Sequence, residues 1–422
     1  MHSNPAFWNE GQTSEWCGEF VDGDHHTMIG LAKRFGLTLD DVNAAEPPGS
    51  VDTNDFLGGY YLRGALRRDM QAVAPVIAAQ RKAIGPTVRY DDYTKAGYRY
   101  DHMSVYDWIE TYVPGGHGSR LGRYLDVLAL TENGPDTRAQ SALNLLLPGH
   151  SDERYHIAGG NERLPAAVAG VFPAGTVQTG ARMTSVAQDG GGVSLTIAGV
   201  DGERVRRFDR AILALPFSVL RSLDFAGAGF RARKVEAIRE LGYGTNTKLS
   251  VQFDSRFWNG RGRWPGIGDG FVDTDLPFEQ SWDSSRAQPG ADGLMTDYTG
   301  GAYGASFRPD APYTTSAGSH RTAEYARRYV DQLNEVWPGA RDHYLGLATL
   351  SYPTGDPNLR GSYSSYEVGQ YTGFAGVEQL AEGRIHFAGE HTSLRFQGFM
   401  EGGAESGVRA AGEVARRLAA WA

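Results

Sequence analysis

The stretch RIHFAGE, from Arg384, followed by a polar loop and the run EGGAESGVRAAGEVARRLAAWA, constrains this chain more than any other segment. Ile385 and Phe387 alternate with polar neighbours and Gly389 halts the run, which predicts a short strand. Val408, Ala411, Val414 and Leu418 recur at helical spacing, which predicts a helix with those four residues along one apolar face. Strand, loop and helix in that order form an α/β unit. The small residues Gly402, Gly403 and Ala404 let a ligand approach the helix start closely. Free N–H groups at such a start favour a negatively charged or electron-rich group.

Upstream, DHHTMIGLAKRFG places Met28, Leu31 and Phe35 at helical spacing, with Gly36 as a C-terminal stop. SVYDWIETYV opens on the cap-competent Ser104, and DTRAQSALNLLL extends the helical character until Pro148-Gly149 breaks it, so residues 100–150 read as a helical lobe. GVSLTIAGV and DGERVRRFD read as sheet. The continuously apolar run from Ala211 to Leu215 predicts a strand buried on both faces. In TNTKLSVQF, Leu249, Val251 and Phe253 alternate with Lys248, Ser250 and Gln252, which predicts a half-buried strand with its polar face in solvent.

A chain of 422 residues, 41% apolar and 22% charged, is globular material for one two-lobed fold or about two to three domains. The net charge of −9 argues against a nucleic-acid partner. The single cysteine, Cys17, excludes an internal disulfide and a Cys-rich metal site. No apolar run reaches the ~18 residues of a membrane span, and MHSNPAFWNEGQTSEW has neither a basic n-region nor an apolar h-region. The chain as written reads as soluble and untargeted; its compartment stays open, an exported form with a lost leader included. His25-His26 lacks a third metal ligand at a workable spacing, and GHGSRLG lacks the G-x-S-x-G order of a nucleophile elbow.

GRIHFAGEHTS and FQGFMEGGAESGVRAA resemble the closing signature of the flavin-dependent amine oxidase family, which includes monoamine, polyamine and L-amino-acid oxidases. GGNERLPAAVA from Gly159, DRAILALPFSVLRSLDF from Asp209, YGTNTKLSVQFDSRFW from Tyr243 and RGSYSSYEVGQ from Arg360 follow the family's order. The resemblance implies an α/β fold with α+β lobes. An incomplete Rossmann-like FAD-binding domain (1–24, 155–240 and 356–422) is interleaved with a mixed-sheet and helical substrate domain (25–154 and 241–355). It implies non-covalent FAD, since Ser362 stands where some relatives carry the flavin-linking cysteine. It implies O2 and an amine or amino acid as reactants. Gly389 and Glu390 match the residues at the ribityl chain, and Gly398, Phe399, Met400, Glu401 and Ala404 the helix start beside the flavin. Tyr363 and Phe399 match the aromatic cage, and Lys248 the lysine that holds a water at flavin N5; a solvent-facing strand lysine is its alternative. Tyr352 falls near a flavin-stacking position.

Two departures stand out. No G-x-G-x-x-G turn is present, because no glycine pair spaced two apart has a third glycine three further on. Three explanations stay open: a βαβ unit supplied by a separate chain, a truncated start, or a relative that has lost FAD. A sheet without that unit is expected to leave unpaired strand edges. The second departure is CGEF at Cys17–Phe20, which lacks the arginine that several L-amino-acid oxidases use for the substrate carboxylate. Arg360 and Arg395 are the candidate substitutes.

Overall fold

The computed structural model describes every residue except Pro5, Pro148, His150 and 420–422, so the helix stop expected at Pro148 and the end of the C-terminal run lie outside the described residues. The largest element is a seven-stranded sheet in the order Tyr313–Thr315, Tyr344–Ser351, Thr247–Phe253, Gly293–Thr299, Gln280–Asp283, Gly268–Thr274, Val51–Asp55. Its pairings are antiparallel except the last, where Val51–Asp55 runs parallel to Gly268–Thr274. One face presents Leu249, Val251 and Phe253 to the helix His320–Val336, whose Tyr329, Val330 and Leu333 complete the core. That face follows from the alternation in the sequence.

The opposite face corrects the expectation of a solvated side. Every residue of Thr247–Phe253 is buried. The strand is third in a wide sheet, and the N-terminal segment covers its polar side. Gln252 Nε2 donates to Gln12 Oε1 at 3.0 Å, and Ser250 Oγ meets Thr296 Oγ1 at 2.9 Å. Buried polar groups persist when paired in this way.

A helical layer of Arg63–Ile84, Lys95–Asp101, Val105–Tyr112 and Arg120–Asn133 packs around the fully buried Trp108. Ser104 caps Val105–Tyr112 as expected, its side chain accepting the Asp107 N–H. The helix expected through DTRAQSALNLLL shrinks to Leu143–Leu146. Gln140 explains the difference: its amide donates to the carbonyls of Ala129 and Pro135, while its backbone bridges to Glu367, so the segment is held extended.

The third region holds the meander Arg182–Asp189, Gly192–Gly199, Gly202–Phe208 and a parallel pair, Ala211–Leu213 with Ile385–Phe387. The strand expected over 211–215 stops at Leu213. It is not buried on both faces, because the pair has only two strands and Ile212 remains 40% exposed. The helix Met400–Ala419 follows its strand and loop as expected, but its packed stripe differs. Glu401, Gly402, Ser406 and Ala410 are buried, whereas Val408 is 65% and Leu418 45% exposed. Close approach selects the small stripe: a Cβ on Gly402 would stand 2.1 Å from the Phe396 carbonyl oxygen, and Ser406 Oγ accepts the Gly389 N–H at 2.9 Å. No helix among the described residues is long and apolar enough to cross a membrane.

Candidate active site

One cross-strand row builds the floor of a cavity of about 450 Å³. Register places Gln280 opposite Tyr298, Tyr298 opposite Lys248, and Lys248 opposite Ser351, so the four side chains share one face of the sheet and all line the cavity. Trp282, two residues beyond Gln280, extends the row. Three further segments form the walls: Trp16–Phe20, Ser362–Tyr366 and the start of the C-terminal helix.

Tyr363 is fixed at both sides of its hydroxyl. It donates to the Thr131 carbonyl at 2.6 Å and accepts from the Tyr298 hydroxyl at 3.1 Å. Burial, followed by Tyr298, keeps its hydroxyl protonated far above the usual tyrosine range. Its ring lies 3.6 Å from the position a Cβ would take on Gly398, whose φ of +85° favours glycine. The next residue, Phe399, lines the same cavity and meets His25 edge-on at 5.3 Å. Tyr363 and Phe399 therefore line one hollow.

Lys248 also faces that hollow and is only 7% exposed, which overturns the solvent-facing alternative. Its ammonium donates to Glu19 Oε2 at 2.7 Å and to the Cys17 carbonyl at 3.1 Å. Burial pushes the Glu19 carboxyl up, but the charge and hydrogen bond of Lys248 outweigh it and hold Glu19 below the usual carboxylate range.

Glu390 lines the cavity with its carboxylate held by the N–H groups of Ser364 and Gly398 and by Ser364 Oγ, at 3.0, 2.7 and 2.8 Å. Burial raises its pKa against those bonds. Met400 reaches the cavity beneath Gly18. The other expected contacts lie behind the wall. Gly389 bonds Ser406, and its φ of +121° shapes the turn. Ala404 packs beside Val21 and Met28. Glu401 turns away because its carboxylate accepts the N–H groups of Thr27 and Met28 at 2.9 and 2.8 Å, capping His26–Arg34. Tyr352 packs on the large sheet and donates to the Ala305 carbonyl at 3.2 Å. Neither Arg360 nor Arg395 lines the cavity; Arg360 is exposed and Arg395 pairs with Asp24 at 3.0 Å.

His25 does gain neighbours that sequence spacing did not show, since ligand atoms of Asp22, Asp24 and His25 lie within 4.8 Å of one another. Protein groups already engage them: Asp22 Oδ1 accepts from Ser151 and Glu153, and Asp24 holds Arg395. Sequence reasoning also missed Tyr298, Trp282, Glu132 and Glu153 in the lining. The first two were findable only through strand register.

The flavin fit rests on open space at a helix start. Gly403 lines the cavity, and a Cβ there would meet nothing within 4 Å. Met400 and Gly403, in the first turn of this 20-residue helix, both line the cavity, so the helix start borders the hollow. A planar, electron-rich ring suits that position.

The sequence profile described as "Flavin containing amine oxidoreductase" matches residues 9–415. The chain belongs to the flavin-containing amine oxidoreductase family. The chain is 28% identical to the putative L-amino-acid oxidase YobN of Bacillus subtilis (strain 168) over 326 residues, covering 75% of this chain and 64% of that one. It is 29% identical to the L-amino-acid oxidase of Siganus canaliculatus over 184 residues, 42% of this chain and 32% of that one. The chain thus spans under two thirds of the length of either relative. Its fold matches cyclohexylamine oxidase from Brevibacterium oxydans IH-35A with a TM-score of 0.80 at 16% identity, covering 98% of this chain and 91% of that one.

Proposed function

We propose that this amine oxidoreductase is an FAD-dependent oxidase of amines or L-amino acids. The observation that carries the reading is that Tyr363, Phe399, Lys248 and the start of the C-terminal helix all face one cavity. Residues around Gly398 and Gly403 would hold FAD non-covalently, and the bound cofactor would supply a hydride acceptor for oxidation of an amine to a hydrolysable imine and pass the two electrons to O2 as H2O2. The chain's own residues orient and desolvate. Tyr363, immobilised by Thr131 and Tyr298, and Phe399 bracket the approach of a neutral amine. Lys248, anchored by Glu19, holds a positive charge at the cavity floor, where it steadies water and oxygen-derived anions.

Purified chain mixed with FAD is expected to retain the flavin absorbance band through gel filtration and to release peroxide with amines or amino acids. A colourless, inactive chain would sink this reading.

A second reading is that another polypeptide supplies the βαβ unit and completes the FAD site. The two-stranded parallel pair and the exposed Ile212 and Val408 favour it. It predicts that flavin retention requires a co-purifying partner.

A further inference from the structure

One amide in the cavity floor is held from behind by a carboxylate. Register sets Gln280 between Asp273 on one neighbouring strand and Tyr298 on the other. Gln280 Nε2 donates to Asp273 Oδ1 at 3.1 Å, and both side chains are under a tenth exposed. Gln280 lines the cavity, whereas Asp273 stands behind the lining. An ionised carboxylate accepts and cannot donate, so Asp273 takes the N–H end of the amide and leaves Oε1 on the cavity side.

We infer that Gln280 is the hydrogen-bond acceptor for an N–H of the substrate's reacting nitrogen, and that Asp273 is the positioning residue that keeps the Gln280 carbonyl turned into the cavity. The inference deepens the oxidase reading and rests on it.

The rest of the row leaves that role to Gln280. Tyr298 directs its O–H to Tyr363, Lys248 its ammonium to Glu19 and the Cys17 carbonyl, and Ser351 its O–H to the Trp16 carbonyl. Trp282 offers only an N–H. Its ring stands 5.2 Å from that of Tyr298, so aromatic surface suited to a carbon chain lies beside the amide. Chemistry also favours an amide over a carboxylate at this position. A carboxylate beside the nitrogen would stabilise the charged ammonium form, and the oxidase reading requires the neutral amine. An amide oxygen accepts the N–H without adding a full charge.

The orientation depends on the charge of Asp273. Burial raises its carboxyl to about 7 against the Gln280 hydrogen bond; Asp52 on Val51–Asp55 and Glu132 on Arg120–Asn133 add to the rise. Tyr124 of that helix also faces Asp273, its hydroxyl held above the usual range by burial and then by Asp273, and Asn54 stands opposite on Val51–Asp55. Asp269, further back on the same strand, shares a hydrogen bond with Asp52. As pH falls through about 7 the Asp273 carboxyl gains an O–H that donates to the Gln280 carbonyl and turns the NH2 end to the cavity.

The test is calorimetric titration of the full chain, with and without added FAD and in the absence of oxygen. The ligands are butylamine and butyltrimethylammonium, which has the same chain and charge but no N–H. Gln280→Met is expected to weaken butylamine about tenfold while butyltrimethylammonium stays within about twofold. The unchanged second ligand reports an intact cavity. Asp273→Asn presents either end of its own amide to Gln280, so the preference for butylamine over butyltrimethylammonium is expected to fall about threefold. In wild type that preference is expected to rise between about pH 6 and about pH 8, and in Asp273→Asn to stay level, a difference that a merely structural Asp273 would not produce. Equal weakening of both ligands in Gln280→Met, unchanged butylamine affinity in that variant, or a level preference in wild type would each overturn the inference. With FAD added and oxygen admitted, peroxide released from butylamine by Gln280→Met at the wild-type kcat/KM overturns it while sparing the oxidase reading. The expected selectivity in a chain that takes up no FAD supports the Gln280 contact and removes the oxidase reading instead.

Discussion

The Tyr298 hydroxyl donates to the Tyr363 hydroxyl at 3.1 Å, tying the strand Gly293–Thr299 of the large sheet to a segment 65 residues further along the chain. The bond has a mechanical meaning, because the partner bond from Tyr363 to Thr131 alone leaves the ring free to tilt about its own hydroxyl. Replacing Tyr298 by Phe removes one buried hydrogen bond while preserving the ring. The expected loss is about 0.5–1.5 kcal/mol of stability, read from urea denaturation. No change in midpoint would show that Tyr363 is held by Thr131 and packing alone.

The Lys248–Glu19 pair makes a larger prediction. Both side chains are under a tenth exposed, so Glu19→Gln leaves a buried ammonium without its counter-charge, expected to destabilise by about 3–5 kcal/mol. Glu19→Gln combined with Lys248→Met is expected to recover most of that loss. Because the folded Glu19 lies below its unfolded value, its contribution is complete above the ordinary carboxylate range and disappears as pH falls through the lowered value. The wild-type chain should therefore lose more stability in acid than Glu19→Gln does. Parallel acid limbs for the two proteins would contradict the pairing.

Glu153 has the opposite sign. Its folded value near 8 stands above its ordinary 4.5, so the folded chain binds the extra proton between those limits and stability falls as pH rises through them. Denaturation of wild type and Glu153→Gln at pH near each limit is expected to show the variant relatively more stable at the alkaline end. An unchanged difference across the window would mean that Glu153 is solvated like a surface acid.

Gly403 separates folding from cofactor uptake. Alanine there meets no atom within 4 Å and improves helix propensity, so stability is expected to rise by about 0.5–1 kcal/mol. The added methyl projects into the space assigned to the flavin, so FAD affinity is expected to fall. A variant that is both more stable and equally able to bind FAD would place the ring elsewhere.

How far the sequence reveals this arrangement depends on which kind of order each part needs. The C-terminal strand, loop and helix are legible because caps, glycine stops and periodicity act locally. The motif also carried Tyr363, Phe399 and Lys248 to one cavity. Periodicity shows that a face exists but not what covers it. Gln252 and Ser250 read as solvated until Gln12 and the neighbouring strand are placed over and beside them. Val408 and Leu418 read as a packed face because apolar residues mark it, yet the tight approach of Gly402 to Phe396 selects the stripe of small residues. Glu132 and Glu153 gave no signal, since an acidic residue in a polar segment is ordinary until the fold surrounds it.

The carboxylate of Glu401 closes on the amides of Thr27 and Met28, joining residues 373 and 374 positions apart. The pocket therefore closes only when these two distant segments have come together. Until then, the opening helix lacks its cap, and the wall that Gly398 and Phe399 provide does not exist. A chain cut before Met400 is therefore expected to lack both the cap on His26–Arg34 and that wall of the cavity.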